Sequence, residues 1–117
     1  LKHADPVALS FPELRDMLEY GASHGQSHFV VVFHSFSGVK PRDVHYSSIK
    51  ADRVTIARLE RLMKYLSEHP ERYRVTTFGD VAREQAFSPG ASPVTNLSMT
   101  RATIRKSVQV LNRFYWV

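Results

Sequence analysis

No cysteine occurs among the 117 residues, which excludes disulfide scaffolds and cysteine-ligated metal centres. Long apolar runs are also missing. The longest is Phe29 to Phe33, far short of the roughly 18 to 20 residues that a membrane-spanning helix needs. Leu1 is followed by no basic-then-apolar leader, so the expectation is a soluble, untargeted chain, and a start at leucine suggests part of a longer protein. There is no Gly-rich phosphate loop with a Walker lysine and no Gly-x-Ser-x-Gly elbow, which argues against nucleotide hydrolysis and a serine hydrolase. Acidic residues are absent from 101–117, where Arg101, Arg105, Lys106 and Arg113 lie, so most of the net charge of +5 is at one end. The first hundred residues balance 12 basic against all 11 acidic side chains.

What is present is 43% hydrophobic and 23% charged, an ordinary globular composition able to build one domain or part of one. Ser10 and Glu13 form a capping-box pattern, Leu9 and Leu14 a hydrophobic staple, and Phe11, Leu14 and Leu18 one apolar face. The pattern predicts a helix near 11–21 that stops at Gly21. Phe29 to Phe33 is β-branched and aromatic without alternation, so it predicts a strand buried on both faces, as in a parallel sheet. Residues 35–51 lack an apolar period and predict a long loop. Asp52 caps a second amphipathic helix with Ile56, Leu59, Leu62 and Leu66 on one face, ending before Pro70. Residues 73–77 predict a short strand, and Thr77 to Asp80 opens a helical turn through 85. Strands alternating with helices imply an α/β fold with parallel pairing.

Residues 86–99 read as a Ser-, Pro- and Gly-rich linker. Residues 100–117 read as an amphipathic basic helix with Ile104, Val108, Leu111 and Tyr115 on one face. Such a helix is expected to pack its apolar stripe on the domain and leave Arg101 and Arg105 in water. That argues against nucleic acid as the partner, although the basic tail with Phe114, Tyr115 and Trp116 has the composition for phosphate contacts and stacking. His24 and His28, four apart with His45 nearby, have metal-ligand character, but Gly21 and Gly25 argue against the continuous helix they would need. His34 is the leading functional residue. It follows the apolar strand directly, at what would be the carboxyl end of a sheet, where α/β proteins place their sites. Ser35 beside it points to the opposite face of extended chain and is not expected to pair with it.

The run Val30-Val31-Val32-Phe33-His34 resembles the last motif of NodB-type polysaccharide deacetylases, the Leu-x-Leu-x-His strand end, with valines for leucines. His34-Ser35-Phe36-Ser37 is similar to the version found in a subset of bacterial members. The order that follows is also similar, with a loop, a helix at 53–68, and Arg74 to Val81 resembling the family's strand and short helix. The resemblance covers about residues 9–85. It implies a distorted (β/α) barrel hydrolase that removes N-acetyl groups from an amino-sugar polysaccharide with a divalent metal, zinc or similar, and it maps His34 onto the histidine that serves as acid toward the departing amine. The Thr-Phe-Asp-Asp, His-Ser-x-x-His, Arg-x-Pro-Tyr and Asp-x-x-Asp-Trp motifs of the family are missing, so the metal ligands and the base would not lie in this chain.

A complete barrel needs about 250 residues. The expectation is therefore an α/β chain holding half of a NodB-like barrel over 1–85, a linker at 86–99 and a helical extension at 100–117. It would be the inactive carboxyl-terminal portion of an enzyme whose family usually works outside the cytoplasm on envelope or exported glycans. The alternative is a small non-enzymatic α/β binding module whose basic carboxyl-terminal helix contacts an acidic partner or nucleic acid.

Overall fold

The computed structural model describes residues 4–84 and 98–114. The expected linker lies outside them up to residue 97, as do Tyr115 and Trp116.

The first helix, α1 (Phe11–Ser23), starts where the capping box requires. The Glu13 carboxylate accepts from the Ser10 amide at 2.8 Å and from its hydroxyl at 2.7 Å, and Pro12 in the first turn forfeits an amide that has no partner there. Leu9 and Leu14 are both fully buried in one cluster, as a hydrophobic staple requires. The helix does not stop at Gly21. It runs to Ser23, and the reversal falls at Gly25, whose φ of 76° suits glycine. Gly21 has a different task. A Cβ there would lie 2.3 Å from the Phe29 ring, so the missing side chain lets the extended segment after the helix pack against it.

That segment corrects the expected strand at 29–33. It is extended, but among the described residues Val31 alone pairs, through a parallel bridge with Ala4, and the Val32 amide donates to the Ala4 carbonyl at 2.8 Å. It is not buried on both faces. Phe29 and Val31 pack on the core cluster, whereas Val30 is 52% exposed and Phe33 37% exposed. Val30 thus points away from the core between Phe29 and Val31, and Phe33 is exposed as the segment runs on past the bridge.

The expected loop at 35–51 also has structure. A short 3₁₀ turn (Ser35–Gly38) leads into β1 (Val39–Pro41), which pairs antiparallel with β2 (Ile49–Ala51), Lys40 opposite Lys50. Asp43 organises the connection. Its side chain accepts from the His45 amide at 2.9 Å and from the Ser47 amide and hydroxyl, while Tyr46 takes a left-handed φ of 56°. The Asp52 amide donates to the Gly38 carbonyl at 2.8 Å and ties the hairpin to the next helix.

Helix α2 (Arg53–Glu68) has the predicted limits. Asp52 caps it through the Thr55 amide at 3.2 Å, and Thr55 returns its hydroxyl to the same carboxylate at 3.0 Å. Leu62 is fully buried and Leu66 packs on the core. The Tyr65 ring meets the edge of Phe11, and its hydroxyl donates to Glu19 at 2.9 Å. The small core thus lies between α1 and α2, with Ala4, Phe29 and Val31 at its edge. Residues 73–77 are extended but pair with no strand among the described residues, contrary to the strand expected there. Tyr73 is held by packing on the core instead. Thr77 then caps α3 (Phe78–Arg83) through the Asp80 amide.

The last helix, α4 (Met99–Phe114), packs the opposite way from its expectation. Arg101 and Arg105 do not lie in water. Arg101 bonds the Asp16 carboxylate and the Pro12 carbonyl, and Arg105 is buried against Glu13, Nε to carboxylate 3.0 Å. Gln109 donates to the Val7 carbonyl at 3.0 Å, and Asn112 bridges Lys40 at 2.7 Å and Asp52 at 3.1 Å. These four residues, at spacings of four, four and three, form one helical face. The apolar residues Ile104, Leu111 and Phe114 are turned outward.

Candidate functional site

His34 sits where the extended segment ends. Its carbonyl accepts the Ser37 amide at 2.9 Å, which closes the 3₁₀ turn. Its exposed ring stacks on Phe36, centroids 5.0 Å apart and planes within 3°. The backbone at His34 is therefore set from both sides, by the Ala4 bridge upstream and by the turn downstream, while the imidazole faces solvent. Ser35 starts the turn and does not bond the His34 ring.

His24, His28 and His45 each have local partners of their own. The His24 ring stacks on Tyr20 at 4.0 Å, with Nδ1 2.7 Å from the Tyr20 carbonyl. The His28 Nδ1 lies 2.9 Å from the Ser27 hydroxyl. His45 belongs to the Asp43 turn. Among the described residues no three histidine, aspartate or glutamate side chains converge as a metal site.

A second feature was not foreseen from the sequence. Between α2, α4 and the start of α1 lies a groove of about 670 Å³. Arg15, Arg53, Arg58, Arg61, Arg101 and Arg105 line it, with no acidic side chain among the lining residues. Its floor is apolar, built from Phe11, Val54, Ala57, Ile104 and Val108. Three of the arginines are engaged by carboxylates. Arg105 pairs with Glu13, Arg101 with Asp16, and Arg15 lies 3.6 Å from Asp16 and 3.9 Å from Glu19. Arg58 is 8% exposed, yet its guanidinium donates to the Pro6 and Val7 carbonyls, each at 3.2 Å, rather than to a carboxylate. Burial pulls the Arg58 guanidinium below its ordinary pKa, and nearby Arg105 adds to the effect; Asp52 and Glu13 oppose it from beyond ion-pair distance. Arg53 and Arg61 form no ion pair or hydrogen bond among the described residues.

Glu13 underlies both the fold and this groove. Burial pushes its carboxyl pKa up, but the bonds from Ser10 and the contact with Arg105 outweigh burial and hold it below the ordinary value. The sequence marked Glu13 as a cap only. Its partner is 92 positions away, beyond any local pattern. The spacing of Arg53, Ala57, Arg58 and Arg61 along one side of α2 was the available signal for the groove. No family model matches the chain, and neither a curated protein nor a solved structure matches it.

Proposed function

We propose that this chain is the carboxyl-terminal portion of a NodB-type polysaccharide deacetylase, in which His34 is the acid that protonates the amine leaving an N-acetylated amino sugar. One observation carries the reading: an extended segment in parallel register with Ala4 ends at an exposed His34 and is followed, after a turn and hairpin, by a helix packed back on the core. Val30 and Phe33 are exposed beside it, apolar surface that the remainder of a barrel would cover. Histidine is the side chain most often used to pass a proton to a reacting group.

The divalent metal that belongs to this reading does not fit the described residues, which gather no ligand set. The contribution of this chain is positional. Gly21 admits Phe29, the Ala4 bridge fixes the direction of the segment, and the 3₁₀ turn fixes the backbone of His34. An amino-sugar polysaccharide is the substrate class, and an extracytoplasmic setting accompanies it.

The test begins with the coding sequence upstream of Leu1. The reading expects Thr-Phe-Asp-Asp and His-Ser-x-x-His there, and a complete product that releases acetate from N-acetylated amino-sugar oligomers. In that product, His34→Ala is expected to lower turnover by about 100-fold or more, the scale of general acid catalysis, with the melting temperature unchanged. The 117-residue chain alone is expected to release no acetate above buffer with zinc or cobalt added. An upstream region without those motifs, or full turnover by His34→Ala, refutes the reading.

A further inference from the structure

The groove between α2 and α4 has a composition that the reading above does not use. Six arginines surround an apolar floor, and no carboxylate lines it. Arg53 and Arg61 have no ion-pair partner among the described residues, and Arg58 is buried with carbonyl partners only. A cation taken out of water is costly unless an anion compensates it. The occupant that fits this surface is therefore negative.

The shape specifies more than charge. Arg53 and Arg61 are eight residues apart on α2, two turns or about 12 Å. On the facing helix, Ile104 and Val108, one turn or about 6 Å apart, line the groove, with Ile104 60% exposed. A cationic side on α2 facing an apolar side on α4 matches an amphipathic helix laid between the two. Its apolar positions at i, i+3 or i+4 and i+7 would meet Ile104, Val108 and Phe11, and its acidic flank would meet Arg53, Arg58 and Arg61. Nucleic acid fits less well, because Phe11 is the only aromatic side chain among the described residues that line the groove, which gives bases little to stack on. A second copy of this chain fits less well because the same basic surface would meet itself.

We propose that the groove between α2, α4 and the start of α1 is a docking site for an acidic amphipathic helix of a partner protein. This holds whether or not His34 serves a hydrolase, and the two are tested by different readouts.

The experiment uses the 117-residue chain and a fluorescein-labelled synthetic helix with leucines at i, i+3, i+7 and glutamates between them, read by anisotropy. Controls are the same peptide with lysine for each glutamate, and one with its leucines scrambled. The acidic amphipathic peptide is expected to bind, the controls to bind at least about tenfold more weakly, and Arg53→Glu/Arg61→Glu and Ile104→Asp each to weaken binding by about tenfold or more. Arg83→Glu, which changes net charge on α3 outside the groove lining, is expected to leave binding unchanged. These side chains are exposed, and circular-dichroism melts identify any variant that fails to fold; Arg61→Gln then replaces the double reversal. The proposal is overturned if the acidic peptide does not bind, if the scrambled or lysine peptide binds equally, or if Arg83→Glu weakens binding as much as Arg53→Glu/Arg61→Glu. It is also overturned if a DNA or RNA duplex displaces the peptide through the same arginines, or if Ile104→Asp acts only by dissolving a self-associated form seen in sedimentation.

Discussion

Helices α2 and α4 are each sixteen residues long and both amphipathic, yet they present opposite faces to the rest of the molecule. Helix α2 buries Leu62 and packs Leu66 on the core. Helix α4 buries Arg105, binds through Arg101, Gln109 and Asn112, and leaves Ile104, Leu111 and Phe114 in solvent. Amphipathic spacing therefore establishes that a helix has two faces without establishing which one turns inward. The partner decides. Helix α1 offers α2 a row of leucines but offers α4 two carboxylates, Glu13 and Asp16.

The two attachments therefore break differently. Arg105→Leu strands the buried Glu13 carboxylate and is expected to cost about 3 to 5 kcal/mol of the docking of α4, read as loss of helical signal and of urea resistance. Adding Glu13→Gln, which removes the stranded charge, is expected to recover part of that loss, a coupling that a double-mutant cycle measures. Leu62→Ala is expected to cost about 2 to 5 kcal/mol through the cavity between α1 and α2; an equal loss from Leu111→Ala would erase the contrast. Acid should loosen the α1 cap and the α4 attachment together, because both rest on the Glu13 carboxylate. The folded Glu13 carboxyl sits below its unfolded value, so its contribution is fully present above about pH 4.3, the usual glutamate value, and fades as pH falls through the lower folded value. A melt monitored from pH 6 to pH 2 checks this. Asp52→Ala, which removes the α2 cap, is expected to cost about 1 kcal/mol. Smallest of all, Ile104→Ser in the chain alone should fall within about 0.5 kcal/mol, since it alters an exposed position.

The parts of the fold legible in the sequence are those set by neighbours along the chain. Ser10 with Glu13, Asp52 with Thr55, and Thr77 with Asp80 each cap a helix within three residues, so the starts of α1, α2 and α3 could be read directly. The end of α1 was misplaced because Gly21 serves a contact with Phe29, not a turn. The hairpin was invisible because its strands are three residues long and depend on Asp43 gathering the turn, which leaves no hydrophobic alternation to detect. The 29–33 run was legible as extended chain but not as half-exposed, since its composition does not tell how many neighbours flank it. His34 was placed correctly at the end of that segment, because this depends on order alone. The arginine groove required knowing which face of α4 turns inward, and that is fixed by contacts across roughly ninety positions.

The Arg105 to Glu13 contact closes a loop of 92 positions with polar bonds alone. Loop closure of that length carries an entropic penalty that grows with the logarithm of the span, and the α4 attachment has no leucine core to offset it. Helix α4 is thus the unit that opens first while α1 and α2 stay closed, a sub-global opening below the global unfolding free energy. Amides of α4 should exchange with deuterium ahead of those around Leu14 and Leu62. An occupant of the groove would slow that exchange by holding the helix shut.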